Sequence, residues 1–310
     1  MPVLDFKDPS RPINIPILSR LKSAARILAQ RTLPLKWTFG MSVCASRIKV
    51  RLDPELRARK FPVLRPLVPP GTSDQEIERQ IALSRTIFKL GAKAYAPVFR
   101  RSKEWLLRTL RPQGLEHLAE VKRTGGGAIV LTLHAGLNAW AEPILRQLGY
   151  PMRLTHRMTI ALDSLLLMRW EGVAQKMLPF PDDEQAGPHL KKLYDLIRKG
   201  EWIQHAGDYP QPDGGLRGVY LGAEIRFRPA PWALGRLTGA PLIPVLVLVD
   251  RDFRFGLHVG PPIRIAAFGA SPDEAMTTAL QRYLDFVAER LSVMPWNLHL
   301  PFRRMSLQGT

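Results

Sequence analysis

The chain has 310 residues, 45% of them hydrophobic, with 45 Lys and Arg against 27 Asp and Glu and a formal net charge of +18. That apolar share excludes a disordered chain and is enough for one large domain, or a domain with a smaller helical appendage. A single cysteine, Cys44, excludes an intrachain disulfide and a thiolate zinc site. The charge points to an anionic partner: nucleic acid, an anionic membrane surface or an acidic protein.

The opening MPVLDFKDPSRP carries acids and prolines around no apolar centre, so it is not expected to be a secretory signal. No run reaches the ~18 apolar residues that span a bilayer. The protein is therefore expected to be intracellular, either soluble or attached to a membrane face without crossing it. Residues 1–112 read as a basic helical region. In ILSRLKSAARILAQRTL (17–33), Ile17, Leu21, Ala24 and Leu28 share one helical face, and Arg20, Lys22, Arg26 and Arg31 fall mostly elsewhere. Such a helix suits a membrane interface equally as well as packing on a main domain. PLVPPGTSDQEIERQ predicts a loop and then a helix start, capped by Ser73 or Asp74, with Glu76 or Glu78 in the first turn. Residues 85–110 form a second basic amphipathic element, presenting Ile87, Phe88, Tyr95, Phe99, Trp105 and Leu106.

From about 113 to 310 the rhythm alternates strand and helix. Strands are predicted at 128–134, 151–157, 202–208, 223–228, 240–250 and 255–265, and helices at 138–149, 162–177, 187–200 and 272–294. Gly149 and Gly200 close two of those helices. This pattern predicts an α/β domain, a mixed central sheet flanked by helices, with the basic helical region preceding it. TGGGA (124–128) precedes its strand, whereas phosphate-binding glycines follow one, so it reads as a turn. GxSxG, HExxH and Cys/His ligand sets are absent from the sequence, which argues against a hydrolase elbow and implies no metal.

His134 ends the first strand of this block. Open α/β sheets bind ligands beyond the carboxyl ends of their strands, and a following helix would aim backbone N–H groups at the same crevice, where an oxyanion can be stabilised. His205, in IQHAGD near Asp208, is a rival base, but its place within an apolar strand favours a buried imidazole.

GLEHL (114–118), TGGGAIVLTLHAG (124–136), LGYP (148–151), Arg157, GDYPQPDGG, RPAPWALGRLTGAPLIPVLV and the closing MPWNLHLPFRR (294–304) occur in one order across roughly residues 85–304. Together they resemble the late acyltransferases of lipid A biosynthesis, within the lysophospholipid acyltransferase superfamily. The resemblance implies fatty-acyl transfer from a thioester, on acyl carrier protein or coenzyme A, to a lipid or glycolipid hydroxyl. It implies no resident cofactor, since the acyl thioester arrives as substrate. It places the reaction at the cytoplasmic face of the inner membrane, with a peripheral enzyme held by anionic lipid. In such enzymes a His, four spacers and then an Asp or Glu form the catalytic pair: the His takes the acceptor hydroxyl proton and the acid orients the ring.

Here the sequence departs from the family. Asn138 follows three spacers after His134, and the acid's position holds Ala139. Four alternatives stay open. Glu142, about 4.5 Å further along a helix, reaches back; Asn138 orients the ring as a neutral acceptor; the helix starts late; or another acid, Asp208, serves. The resemblance further implies that Arg157 and Arg169 face anionic groups of the substrate and that Asp208 is a strand-end acid of the site. Arg217, in the loop GGLRG, is a candidate phosphate contact. Pro241 and Pro244 shape a strand entrance. The alternative reading is a lipid-binding protein of the same fold that has lost the reaction, with Ala139 as its support. Nucleic-acid binding would rest on charge alone and is not expected.

Overall fold

A computed structural model of the chain describes residues 35–65, 68–91, 103–157, 178–180, 186–208, 211, 214–220, 222–269 and 271–298. The helices expected at 17–33 and 162–177 lie outside these residues, as does the stretch 92–102 with Tyr95 and Phe99. Helices α1 (Leu35–Leu52), α2 (Pro54–Leu64), α3 (Asp74–Gly91), α4 (Lys103–Leu110) and α5 (Leu115–Arg123) precede the first strand. The Ser73 hydroxyl accepts from the Glu76 N–H at 3.3 Å, so Ser73 caps α3 as its position predicts. Gly125, with φ of 71°, turns the chain out of α5 toward the sheet.

Among the described residues the main sheet has six strands: β1 (Ala128–Thr132), β2 (Met152–Arg157), β3 (Leu178–Phe180), β4 (Trp202–Ala206), β7 (Leu242–Val249) and β8 (Phe255–Val259), in the order β3-β2-β4-β1-β7-β8. All neighbours run parallel except β8, which is antiparallel to β7. The predicted mixed α/β sheet is present. LIPVLVLV forms a fully buried strand because both its faces are covered. Ile243, Val245, Val247 and Val249 pack with Phe39, Leu83, Ile87, Leu106 and Trp140 on one side. Leu242, Leu246 and Leu248 pack on the other with Leu193, Trp232, Tyr283 and Leu284. The latter side is built by α7 (Ala186–Arg198), α8 (Ala230–Thr238) and α9 (Pro272–Val293). Helix α9 opens on a capping box, in which the Ser271 hydroxyl accepts from Glu274 N–H and the Glu274 carboxylate accepts from Ser271 N–H.

Four expectations need correction. Ile87 and Leu106 lie in the core and are not offered to an interface. The strand expected over 255–265 stops at Val259, because Pro261 and Pro262 have no N–H for the ladder; a single bridge joins Ile263 to Leu242. The predicted strand 223–228 is β6 (Ala223–Phe227), outside the main sheet and paired antiparallel with β5 (Leu216–Tyr220). That hairpin lies close on α9: a Cβ on Gly218 would sit 2.6 Å from the Leu284 Cδ1, so a larger residue there would have to displace that side chain. The helix expected over 138–149 begins as a 3-10 turn, Asn138–Trp140, and becomes α6 only at Ala141–Gln147.

Helix α8 escapes a period-based reading, although Pro231 in its first turn and Gly239 at its end, with φ of 70°, are the ordinary punctuation of a helix.

Candidate active site

Register builds this site. β1 and β4 are parallel neighbours with Thr132 opposite Ala206, and the Gly207 N–H donates to the Thr132 carbonyl at 2.9 Å, extending the ladder past both strands. His134 and Asp208 each stand two residues beyond that last pair, so they emerge side by side at the carboxyl edge of the sheet. Asp208 is 1% exposed and engages His134 twice. Its Oδ1 accepts from the ring Nδ1 at 2.8 Å and its Oδ2 accepts from the His134 backbone N–H at 2.6 Å. A carboxylate only accepts, so Nδ1 carries the proton and the ring is held in one tautomer.

The His134 side chain is 31% exposed. Burial is the largest influence on its ring and lowers the pKa, but the charge and hydrogen bond of Asp208 outweigh it, leaving the pKa raised above the usual 6.5. Behind Asp208 lie two tyrosines, Tyr220 and Tyr283, both buried, and burial with the nearby Asp208 charge pushes both phenols upward. The Tyr283 hydroxyl donates to the Thr132 carbonyl at 2.8 Å, and its ring stands against Gly207, where a Cβ would come within 3.0 Å. The floor of the site is therefore apolar and tightly packed, and it holds Asp208 between two strands and α9.

The loop after His134 is equally constrained. Gly136 has φ of 55°, and a Cβ there would meet the Val247 carbonyl oxygen at 2.2 Å. Its N–H donates to the Asn297 carbonyl, and the Leu137 N–H to the Val247 carbonyl, each at 2.7 Å. The Asn297 side chain clamps Val249 by donating to its carbonyl and accepting from its N–H, both at 2.9 Å, and the Trp296 indole donates to the same carbonyl at 2.7 Å. The C-terminal PWN turn thus positions the His loop. In this loop the N–H groups of Ala135, Gly136, Leu137 and Trp140 all donate to internal carbonyls.

Glu142 stands apart from Asp208 in its partner. It is buried in α6 and its Oε1 accepts from Arg146, one turn on, at 3.1 Å. The carboxylate on the His134 Nδ1 is Asp208. Asn138 opens the 3-10 turn, and its carbonyl accepts from Gln204 at 3.4 Å. Arg157 is the last residue of β2, paired with Phe180 at the same carboxyl edge as His134. Arg169 lies outside the described residues. Arg217 is not in a loop: it lies on β5, faces solvent and approaches Glu224 at 4.0 Å. His205 is buried, and burial pushes its imidazole down to about 4; its Nδ1 donates to the Ala206 carbonyl at 2.9 Å. Tyr220, Tyr283 and Asn297 escape the sequence reading. Of these only Asn297 lay inside a motif that carried the resemblance.

A family model described as bacterial lipid A biosynthesis acyltransferase matches residues 68–295, most of the chain. The protein belongs to this acyltransferase family of lipid biosynthesis. No curated protein matches the sequence. Among solved structures, this acyltransferase is similar to the 1-acyl-sn-glycerophosphate (LPA) acyltransferase PlsC from Thermotoga maritima, with 14% identity and a TM-score of 0.39, over 84% of this chain and 99% of that one. The family's usual acid position, five residues after the His, is occupied in this member by Ala139. Among the described residues no helix is long and apolar enough to cross a membrane.

Proposed function

We propose that this acyltransferase moves a fatty acyl chain from an acyl thioester, on acyl carrier protein or coenzyme A, to a hydroxyl of a lipid or glycolipid, with His134 as general base and Asp208 as the acid that orients it. The observation that carries the reading is the 2.8 Å bond between His134 Nδ1 and the buried Asp208 carboxylate. With Nδ1 protonated by that bond, Nε2 is the nitrogen that takes the acceptor proton as the hydroxyl oxygen attacks the thioester carbonyl. The tetrahedral intermediate collapses with loss of the thiolate, which is reprotonated from the imidazolium. Asp208 stabilises the positive ring formed in between, and no covalent enzyme intermediate is needed. An alcohol with a pKa far above 7 requires such a base.

The second reading, a lipid-binding shell without chemistry, takes its support from Ala139. Asp208 supplies from the neighbouring strand what that position lacks, which favours the enzyme. The site works at the cytoplasmic face of the inner membrane. The net charge of +18 would hold the protein on anionic lipid, at about 1 kcal/mol per Lys or Arg close to the surface, and attract an acidic carrier protein or coenzyme A phosphates. Arg157, at the same edge as His134, is assigned to an anionic group of the substrate, Arg169 is assigned a like role, Asn138 and Arg217 are assigned as further substrate contacts, and no step of the reaction is assigned to Glu142. The test incubates purified protein with labelled acyl donors and a total lipid extract, and identifies acylated products by mass spectrometry. A product formed by the wild type and lost in His134→Ala supports the reading. Absence of any acylated lipid with both donors, while lipid binding persists, turns it to the non-catalytic alternative.

A further inference from the structure

Helix α1 is apolar on two opposite faces. Phe39, Val43, Ser46 and Val50 recur at helical spacing and are buried, the Ser46 hydroxyl accepting from Thr86 on α3 at 3.1 Å. Directly opposite, Trp37, Met41, Ile48 and Leu52 are 52% to 78% exposed, with exposed Cys44 among them. At 100° per residue these five side chains fall within an arc of about 80°, and the row runs for about 22 Å. A helix that merely covers a core would carry polar residues on that side; here, among the described side chains, the charged residues flank the stripe. Arg47 and Arg51 flank the stripe on one side and Lys49 on the other, and α1, LKWTFGMSVCASRIKVRL, contains no acid. Arg51 also reaches Glu78 on α3 at 3.5 Å, from the edge of the stripe and not across it.

We propose that this outward face of α1 is the surface by which the protein docks on an anionic phospholipid bilayer, with Trp37, Met41, Ile48 and Leu52 entering the acyl boundary and Arg47, Lys49 and Arg51 lying at the headgroups. The basic borders, the acid-free helix and the net charge of +18 select a bilayer of negative charge over an apolar protein groove. Choosing lipid as the occupant rests on the reading of the protein as an acyltransferase of membrane lipid. The buried face of the same helix packs toward the loop that follows His134. The Phe39 ring packs edge-on against Phe255 at 5.3 Å, and Phe255 stacks on Trp140 at 5.5 Å, in the 3-10 turn that follows His134. A row of packed aromatic rings therefore links the buried face of α1 to the turn that follows His134.

Cys44, the one cysteine of the chain, lies in the stripe and permits a direct test on the full protein. An environment-sensitive thiol fluorophore at Cys44 is followed during titration with vesicles of phosphatidylglycerol and phosphatidylcholine, and with phosphatidylcholine alone. The expected result is a blue shift and protection from iodide quenching with the anionic vesicles, far weaker with neutral ones. In flotation of unlabelled protein, Trp37→Ser and Ile48→Ser each lower vesicle partition about tenfold. Arg47→Gln with Lys49→Gln reduces the preference for anionic lipid. Two results overturn the proposal: a fluorophore that stays quenchable while the protein floats, or a blue shift that appears with protein concentration in the absence of vesicles, which would make the face a contact between copies. Failure of the reaction is distinguishable. His134→Ala keeps the fluorophore response and loses acyl transfer, whereas Trp37→Ser and Ile48→Ser keep transfer to acceptor presented in detergent micelles.

Discussion

Two buried carboxylates, Asp208 beyond β4 and Glu142 in α6, compete for one role on paper and differ in what holds them. Glu142 lies eight residues from His134 and bonds Arg146 along its own helix, a local pair of the kind helical spacing produces. Asp208 lies 74 residues from His134 and meets both its ring and its backbone N–H. The difference teaches that adjacency at the edge of a parallel sheet is set by strand register, and that separation along the chain is a poor guide to it.

The sharpest way to break this comparison is kinetic. His134→Ala and Asp208→Asn each lower acyl transfer about a hundredfold to ten-thousandfold, the range for losing a general base or its orienting partner. Glu142→Gln leaves the rate within about threefold of wild type. Turnover assays on the three purified variants decide it: equal losses at 142 and 208 would end the distinction.

Gly136→Ala probes the loop that delivers the ring. With φ of 55° and the Val247 carbonyl 2.2 Å from the added methyl, it costs about 2–3 kcal/mol of stability, read as a lower midpoint in urea. Glu142→Gln costs about 1–3 kcal/mol in the same measurement, since a buried charge pair is broken without touching the base. Tyr283→Phe removes one buried hydrogen bond to Thr132 and costs about 1 kcal/mol.

The smallest effect is on pH. A general base works neutral, so the transfer rate rises with pH through the raised pKa of His134 and levels above it. In Asp208→Asn the opposing charge is gone while burial remains, and the rising limb moves to lower pH, in a rate–pH profile of the residual activity. The stability linkage has the opposite sense. A folded pKa above 6.5 means the protonated ring stabilises the fold below that pH, and the contribution is lost as pH rises through the raised value.

Much of the fold is legible in the residues alone. The apolar run over 242–249, the Gly149 and Gly200 stops and the cap at Ser73 are local signals whose cause lies within a few residues. The strand 223–227 shows the limit. Its alternation specifies a strand, yet nothing local says that it pairs with 216–220 on α9 instead of joining the main sheet. His134 is legible because it ends a strand inside a recognisable motif. Asp208 stands among the alternatives, but no local pattern ranks it above Glu142. Tyr283, Tyr220 and Asn297 are invisible as site residues because they come to Asp208 and the His134 loop only across the fold, Asn297 through its backbone carbonyl.

Composition, periodicity and motif by themselves determined the α/β class, the strand-end imidazole and the basic character of the chain, since each depends on residue type and spacing. Only the tertiary structure decided which acid turns that imidazole and which face of α1 is left apolar and exposed. Both are outcomes of packing: the register of β1 on β4 brings two distant residues to one height, and the seating of α1 against α3 chooses which of its two apolar stripes is covered.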